Sequence, residues 1–182
     1  MPDSLIMLRW LLLTICTVMS FNVIAQDESD YRLGSGDKIQ ITVFGQQDLS
    51  METLLNDSGK INYPFLGDTQ AAGQTLAQFQ QQIHDGLKGD YLVSPNVSIS
   101  IIEYRPFFID GEVEKPGGYP YQPDLTINKA AALAGGYTER ASLQKIFIIR
   151  SNDPKQNSIR VDTNTIVRPG DIITFKQRFF KK

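Results

Sequence analysis

The pattern Gly-Asp-x-Ile occurs twice in this chain of 182 residues, at Gly36-Asp37-Lys38-Ile39 and at Gly170-Asp171-Ile172-Ile173. Each copy reads as a turn that launches a strand. Glycine accepts backbone angles closed to other residues, and aspartate bonds its own local backbone at a turn. After the first copy, Ile39, Ile41 and Val43 alternate with Lys38, Gln40 and Thr42, the two-residue period of a half-buried strand. Two such launches, each set among strands and one helix, predict an α+β chain built from two small tandem units.

The first unit is placed at residues 26–104. Strands are expected over Lys38–Phe44, Lys60–Tyr63 and Val97–Ile101, with Leu49–Leu55 either a further strand or a loop. Thr75 with Gln78 three residues on forms a capping box, and Leu76, Phe79, Ile83 and Leu87 then share one helical face. Gly89 closes that helix. One helix on a small mixed sheet completes the unit, and Arg105-Pro106 marks the boundary. The second unit, residues 105–176, begins with a strand Phe107–Val113 broken by Gly111 and a turn Lys115–Tyr119. A short helix from Ile127 to Ala134 follows, capped by Thr126 and ended by Gly135-Gly136. Strands over Lys145–Arg150, Ser158–Asp162 and Asp171–Lys176 finish it, an order that resembles a β-grasp. Residues 177–182 form a tail. Each unit, at about 75 residues, has a marginal core on its own, so packing between units or between chains is expected to help.

Arg9, the apolar run Trp10–Met19 and the small-residue site ending at Ala25 read as a secretory signal peptide over residues 1–25. The run is shorter than the ~20 apolar residues needed to span a bilayer. Ile15, where lipidation wants a small residue, argues against Cys16 as a lipid-attachment site. Cleavage after Ala25 leaves no cysteine, so thiol and disulfide chemistry are excluded, and the mature chain is expected in the periplasm. A net charge of −2 argues against nucleic acid as a partner, since phosphate neutralisation needs a basic face.

Catalytic and metal chemistry find little footing. His84 is the one histidine and lies on the first helix, so zinc sites and Cys–His dyads are not expected. There is no Gly-x-Ser-x-Gly elbow or Walker loop, and Gly34-x-Gly36 precedes a strand rather than a helix. Asp110, Glu112 and Glu114 alternate as a carboxylate pair for glycoside cleavage could, but a polar strand face is favoured. No catalytic residue, cofactor or metal is assigned. Tyr119, Tyr121 and Tyr137 have rings and hydroxyls suited to stacking on sugars; packing of one unit on the other is the competing reading. The Phe179-Phe180-Lys181-Lys182 tail could dock a partner or simply fray from the last strand.

The assembled pattern resembles the outer-membrane polysaccharide export family, the Wza-like proteins of capsule and exopolysaccharide secretion. The first half carries Tyr31–Asp37, Val43–Ser50, the segment Asp57-x-Gly59-x-Ile61-x-Tyr63-Pro64-Phe65-Leu66-Gly67, and Ser94-Pro95-Asn96. The second half looks like an SLBB domain, a β-grasp module, through Gly111-Glu112-Val113-x-Lys115-Pro116-Gly117-Gly118-Tyr119, Ala134-Gly135-Gly136-Tyr137 and Arg168-Pro169-Gly170-Asp171. The structural motif positions are thus Gly36, Asp37, Gly59, Pro64, Gly67, Pro95, Gly111, Pro116, Gly117, Gly135, Gly136, Pro169, Gly170 and Asp171. The resemblance implies transport rather than catalysis: a periplasmic, outer-membrane-associated homo-oligomeric ring that conducts polysaccharide. Larger relatives are lipidated and end in an amphipathic membrane helix. With a poor lipobox and a chain that stops at Lys182, the expectation here is a short form needing a separate outer-membrane β-barrel and an inner-membrane polysaccharide co-polymerase. The alternative is a periplasmic glycan-binding or sensor module that forms no channel.

Overall fold

A computed structural model describes residues 31–178; the expected signal peptide, Cys16 and the Phe179–Lys182 tail lie outside the described residues. The first strand among the described residues is β1 (Lys38–Val43), flanked on both sides by antiparallel neighbours, β2 (Met51–Leu54) and β5 (Val97–Glu103). This sheet is wholly antiparallel, not the expected mixed one, because every partner of β1 returns through a connection that reverses its direction. Leu49–Leu55 resolves into a short 3₁₀ turn at Gln47–Leu49 followed by β2. β3 (Lys60–Tyr63) and β4 (Gly67–Gln70) form a separate hairpin. β4 has no counterpart in the sequence reading: Gly67-Asp68-Thr69-Gln70 is polar, and only Thr69 is buried.

α1 (Leu76–Leu87) starts at the capping box, where Thr75 Oγ1 accepts from the Gln78 amide at 3.2 Å and Gln78 Oε1 accepts from the Thr75 amide at 3.0 Å. Its face of Phe79, Ile83 and Leu87 is fully buried against β5 and the β1 residues Ile39 and Ile41. Each such side chain contributes roughly 1.5–3 kcal/mol by leaving water. Tyr63 joins this core and donates its hydroxyl to the Leu49 carbonyl at 2.8 Å.

The second half contains β6 (Phe107–Gly111), β7 (Gly117–Tyr119), α2 (Ile127–Leu133), β8 (Ala141–Ile149), β9 (Ser158–Val161) and β10 (Ile172–Gln177). The sheet order is β7-β6-β10-β8-β9, with β6 and β10 parallel at its centre and the other pairs antiparallel. A hairpin, a helix and a last strand inserted beside the first is the β-grasp arrangement. Gly117–Tyr119, expected as a turn, pairs with β6 as a strand. β6 itself stops at Gly111 rather than Val113. There φ is +87°, and a Cβ would lie 2.1 Å from the Phe175 carbonyl oxygen, so only glycine lets the strand bend this close to β10. Ala130, Ala131 and Ala134 bring α2 against a core of Phe107, Ile109, Ile146, Ile148, Ile173 and Phe175.

Candidate functional site at the domain junction

The two Gly-Asp turns are built alike. The Asp37 amide donates to the Gly34 carbonyl at 3.1 Å, and the Gly34 amide donates to Asp37 Oδ2 at 2.7 Å. In the second copy the Asp171 amide donates to the Arg168 carbonyl at 3.2 Å, and the Arg168 amide to Asp171 Oδ2 at 2.7 Å. Both carboxylates are buried, at 0% and 1% exposure, so their charge requires donors beyond the turn itself. Each obtains an arginine. Arg105 Nη1 lies 3.1 Å from Asp37 Oδ2, and Arg150 Nη1 lies 2.7 Å from Asp171 Oδ2. The remaining oxygens accept backbone amides, Arg105 at 2.9 Å and Ser151 at 3.3 Å.

Both turns converge on the boundary residue Arg105. Its Nη1 also donates to the Tyr31 hydroxyl at 3.1 Å, and that hydroxyl donates to Asp37 Oδ2 at 2.6 Å. The guanidinium carbon stands 5.6 Å from the Tyr31 ring centroid. Burial, then the bond to Asp37, pushes the Tyr31 phenol well above its ordinary range. From the other side, Gly170 closes on the same arginine: a Cβ there would lie 2.8 Å from Arg105 Nε and 2.7 Å from Ser151 Oγ. The Gly170 amide donates to the Pro106 carbonyl at 3.1 Å, and the Phe108 amide to the Asp171 carbonyl at 2.8 Å. Edge-to-face contacts Tyr31–Tyr104 at 5.1 Å and Tyr104–Tyr121 at 5.2 Å carry aromatic packing across the same junction. The sequence reading saw Arg105 only as a boundary marker. The signal for its role was the repeated aspartate, since a carboxylate taken inside a fold needs a cation or several donors.

The other sequence-derived positions are dispersed. Gly59 is buried where the turn before β3 meets Ala71 and Ala72, whose amides donate to its carbonyl. Pro64 and Gly67 flank the β3–β4 turn, Pro95 is buried just before β5, and Pro169 is buried beside Gly170. Pro116 is exposed ahead of Gly117 in β7, and Gly135 and Gly136 follow α2. The tyrosines lie against the second core. Tyr119 packs 6.1 Å from Phe107 and donates to the Lys115 carbonyl; Tyr137 packs 5.3 Å from Phe175 and donates to Asn128 Oδ1 at 3.1 Å. Burial raises the Tyr121 and Tyr137 phenols. Glu112 accepts from Thr138 Oγ1 at 2.7 Å beyond the end of β6, so Asp110, Glu112 and Glu114 do not form one strand row. His84 Nδ1 lies 2.9 Å from Asp85 Oδ1 on α1. Among the described residues no cluster of His, Cys, Asp or Glu has the geometry to hold a metal, and no helix is long and apolar enough to cross a membrane.

Residues 25–102 match the polysaccharide biosynthesis/export protein family, and residues 106–162 match the SLBB domain. The chain carries a polysaccharide biosynthesis/export domain followed by an SLBB domain. Its export domain and SLBB domain meet at Arg105, between the two matched segments. Similar proteins include the exopolysaccharide production protein ExoF of Rhizobium meliloti, 34% identical over 146 residues, covering 72% of this chain and 34% of ExoF. The EPS I polysaccharide export outer membrane protein EpsA of Ralstonia nicotianae is 25% identical, over 81% of this chain and 48% of EpsA. The polysialic acid transport protein KpsD of Escherichia coli is 28% identical, over 70% of this chain and 24% of KpsD. The chain therefore spans about a quarter to a half of the length of the curated relatives it matches.

Proposed function

We propose that this chain is a periplasmic component of a capsule or exopolysaccharide export conduit, associated with the outer membrane. In this reading copies assemble head to tail into a ring that passes polymer, with an outer-membrane β-barrel and an inner-membrane polysaccharide co-polymerase as partners. The observation that carries it is the export domain joined to the SLBB domain without a spacer and clamped through Arg105 to turns of both. A conduit wall has to keep its shape while a long hydrated polymer slides past, and a stiff two-domain unit resists that shear. Transport also calls for many weak contacts rather than one tight site, because tight binding would stall the polymer. Tyr119 and Tyr137 fit this picture as weak sugar contacts, since their hydroxyls already donate within the domain.

Sedimentation of the purified full chain, paired with calorimetry against its own polysaccharide fragments, tests this reading. A stable assembly with only weak fragment binding is expected. A monomer that binds fragments tightly would establish the sensor or binding module instead. The Phe179–Lys182 tail is retained as a proposed docking element, and unchanged export and partner recovery after its deletion would remove that role.

A further inference from the structure

Among the exposed hydrophobic side chains, one group in each domain is marked by backbone strain or by its place on a sheet face. The first is the tip of the β3–β4 hairpin. Leu66 lies against Gly86 of α1, where a Cβ would come within 2.7 Å of Leu66 Cδ1. Its neighbour Phe65 is 65% exposed at φ +65°, left-handed backbone that a bulky side chain rarely adopts. The Phe65 ring lies 4.8 Å from Tyr91, and Val93, two residues further, is 92% exposed. Strain spent on holding an aromatic ring outward is the kind found where a surface engages a partner.

The second surface is the outer face of the SLBB sheet. α2 covers the face formed by Phe107, Ile109, Ile146, Ile148, Ile173 and Phe175. On the opposite face Phe108 pairs with Ile172, and Ile172 with Ile149, so an apolar row crosses β6, β10 and β8. Phe108 is 47% and Ile172 41% exposed. Charge separates the two surfaces. Asp68 and Asp90 border the first, with Lys88 as the opposing charge; Arg160 and Lys176 stand on the second face, with Asp110 as the opposing charge.

We infer that the Phe65–Tyr91–Val93 surface of one copy docks on the Phe108–Ile172 sheet face of a second copy of this chain. This names the contact within the ring proposed above and rests on that reading. The surfaces carry opposite net charge, so the contact is head to tail, and a two-fold pairing of like surfaces would set like charges together. A head-to-tail contact leaves one surface of each kind open at the ends, which is how rings and filaments grow.

The test uses two full-length variants, Phe65→Ser with Val93→Ser, and Phe108→Ser with Ile172→Ser, followed by sedimentation and circular dichroism. Each variant alone is expected to be a folded monomer. Their mixture retains one productive contact and is expected to stop at a one-to-one dimer. As a second readout that keeps Phe65 and Phe108 in place, mixed Val93→Cys and Ile172→Cys chains are expected to form an inter-chain disulfide on oxidation. Wild-type assembly that persists in both variants, or that yields no such cross-link, overturns the contact alone. A wild-type chain that stays monomeric overturns the ring reading and the contact with it.

Discussion

Arg105 and Asp37, 68 residues apart, are joined twice: the Arg105 amide donates to Oδ1 at 2.9 Å, and its Nη1 donates to Oδ2 at 3.1 Å. Arg105 lies between the export and SLBB segments, and its neighbour Pro106 accepts from Gly170 of the second Gly-Asp turn. The Arg105 side chain and the Pro106 carbonyl together thus tie the start of the first domain to the end of the second. A buried ion pair of this kind is a poor source of net stability, because both charges lose their water. Its value lies in geometry: two small domains meet in a single orientation.

Removing one member of that pair is costly even though the pair itself is not strongly stabilising. Arg105→Ala leaves the Asp37 carboxylate buried without its cation and is expected to destabilise the chain by about 3–5 kcal/mol. Urea unfolding of the full chain measures it, and the loss of a single cooperative transition would show the two domains uncoupling. Arg105→Lys cannot reproduce Nη1 contacts to both Tyr31 and Asp37, so it should recover only part of the loss.

Gly111→Ala tests the close approach of β6 and β10. The added methyl would sit 2.1 Å from the Phe175 carbonyl oxygen at a backbone φ of +87°. Destabilisation of more than about 1 kcal/mol is expected from the conformation alone, with the clash added. Thermal melting compared with Gly89→Ala, where a Cβ meets nothing within 4 Å at φ +95°, separates the two contributions.

Alkaline pH should weaken the fold through its buried phenols. Burial pushes the Tyr63 phenol up to about 12, and burial with the Asp37 bond raises Tyr31 further. An unfolded tyrosine loses its proton near pH 10 while these two keep theirs, so the unfolded state binds fewer protons there. Stability contributed by the protonated phenols is therefore complete below about pH 10 and declines as pH rises from there towards the folded values. Ultraviolet titration of phenolate should show late-titrating rings, with Tyr31→Phe and Tyr63→Phe each removing one.

The capping box at α1 gives a smaller effect. Thr75→Ala removes the oxygen that accepts the Gln78 amide and should cost about 1 kcal/mol. Asparagine or serine at the same position should restore most of it in a denaturant titration.

What was legible in the sequence was local. The alternation of Ile39, Ile41 and Val43, the Thr75–Gln78 box, the turn residues before β3 and the Arg105-Pro106 boundary each announce themselves within a few positions. β4 escaped because Gly67-Asp68-Thr69-Gln70 has no apolar alternation. β7 escaped because Gly117-Gly118 reads as a turn, whereas its place is set by pairing with Ile109 and Phe108. The junction was hidden for a different reason. Asp37 meets Arg105 and Asp171 meets Arg150 only after the sheets form, and nothing in local spacing marks which arginine each carboxylate will draw. Tyr119, Tyr121 and Tyr137 had two readings in sequence; all three pack against the core of the second domain, and Tyr121 also meets Tyr104.

The most direct measurement of the central claim is the distribution of polysaccharide in cells lacking this chain and any paralogue, with and without a plasmid copy. An export role predicts surface polymer lost and polymer retained inside the envelope, both reversed by the wild-type copy and reversed less well by Arg105→Ala. Normal surface polysaccharide in the deletion strain would contradict it.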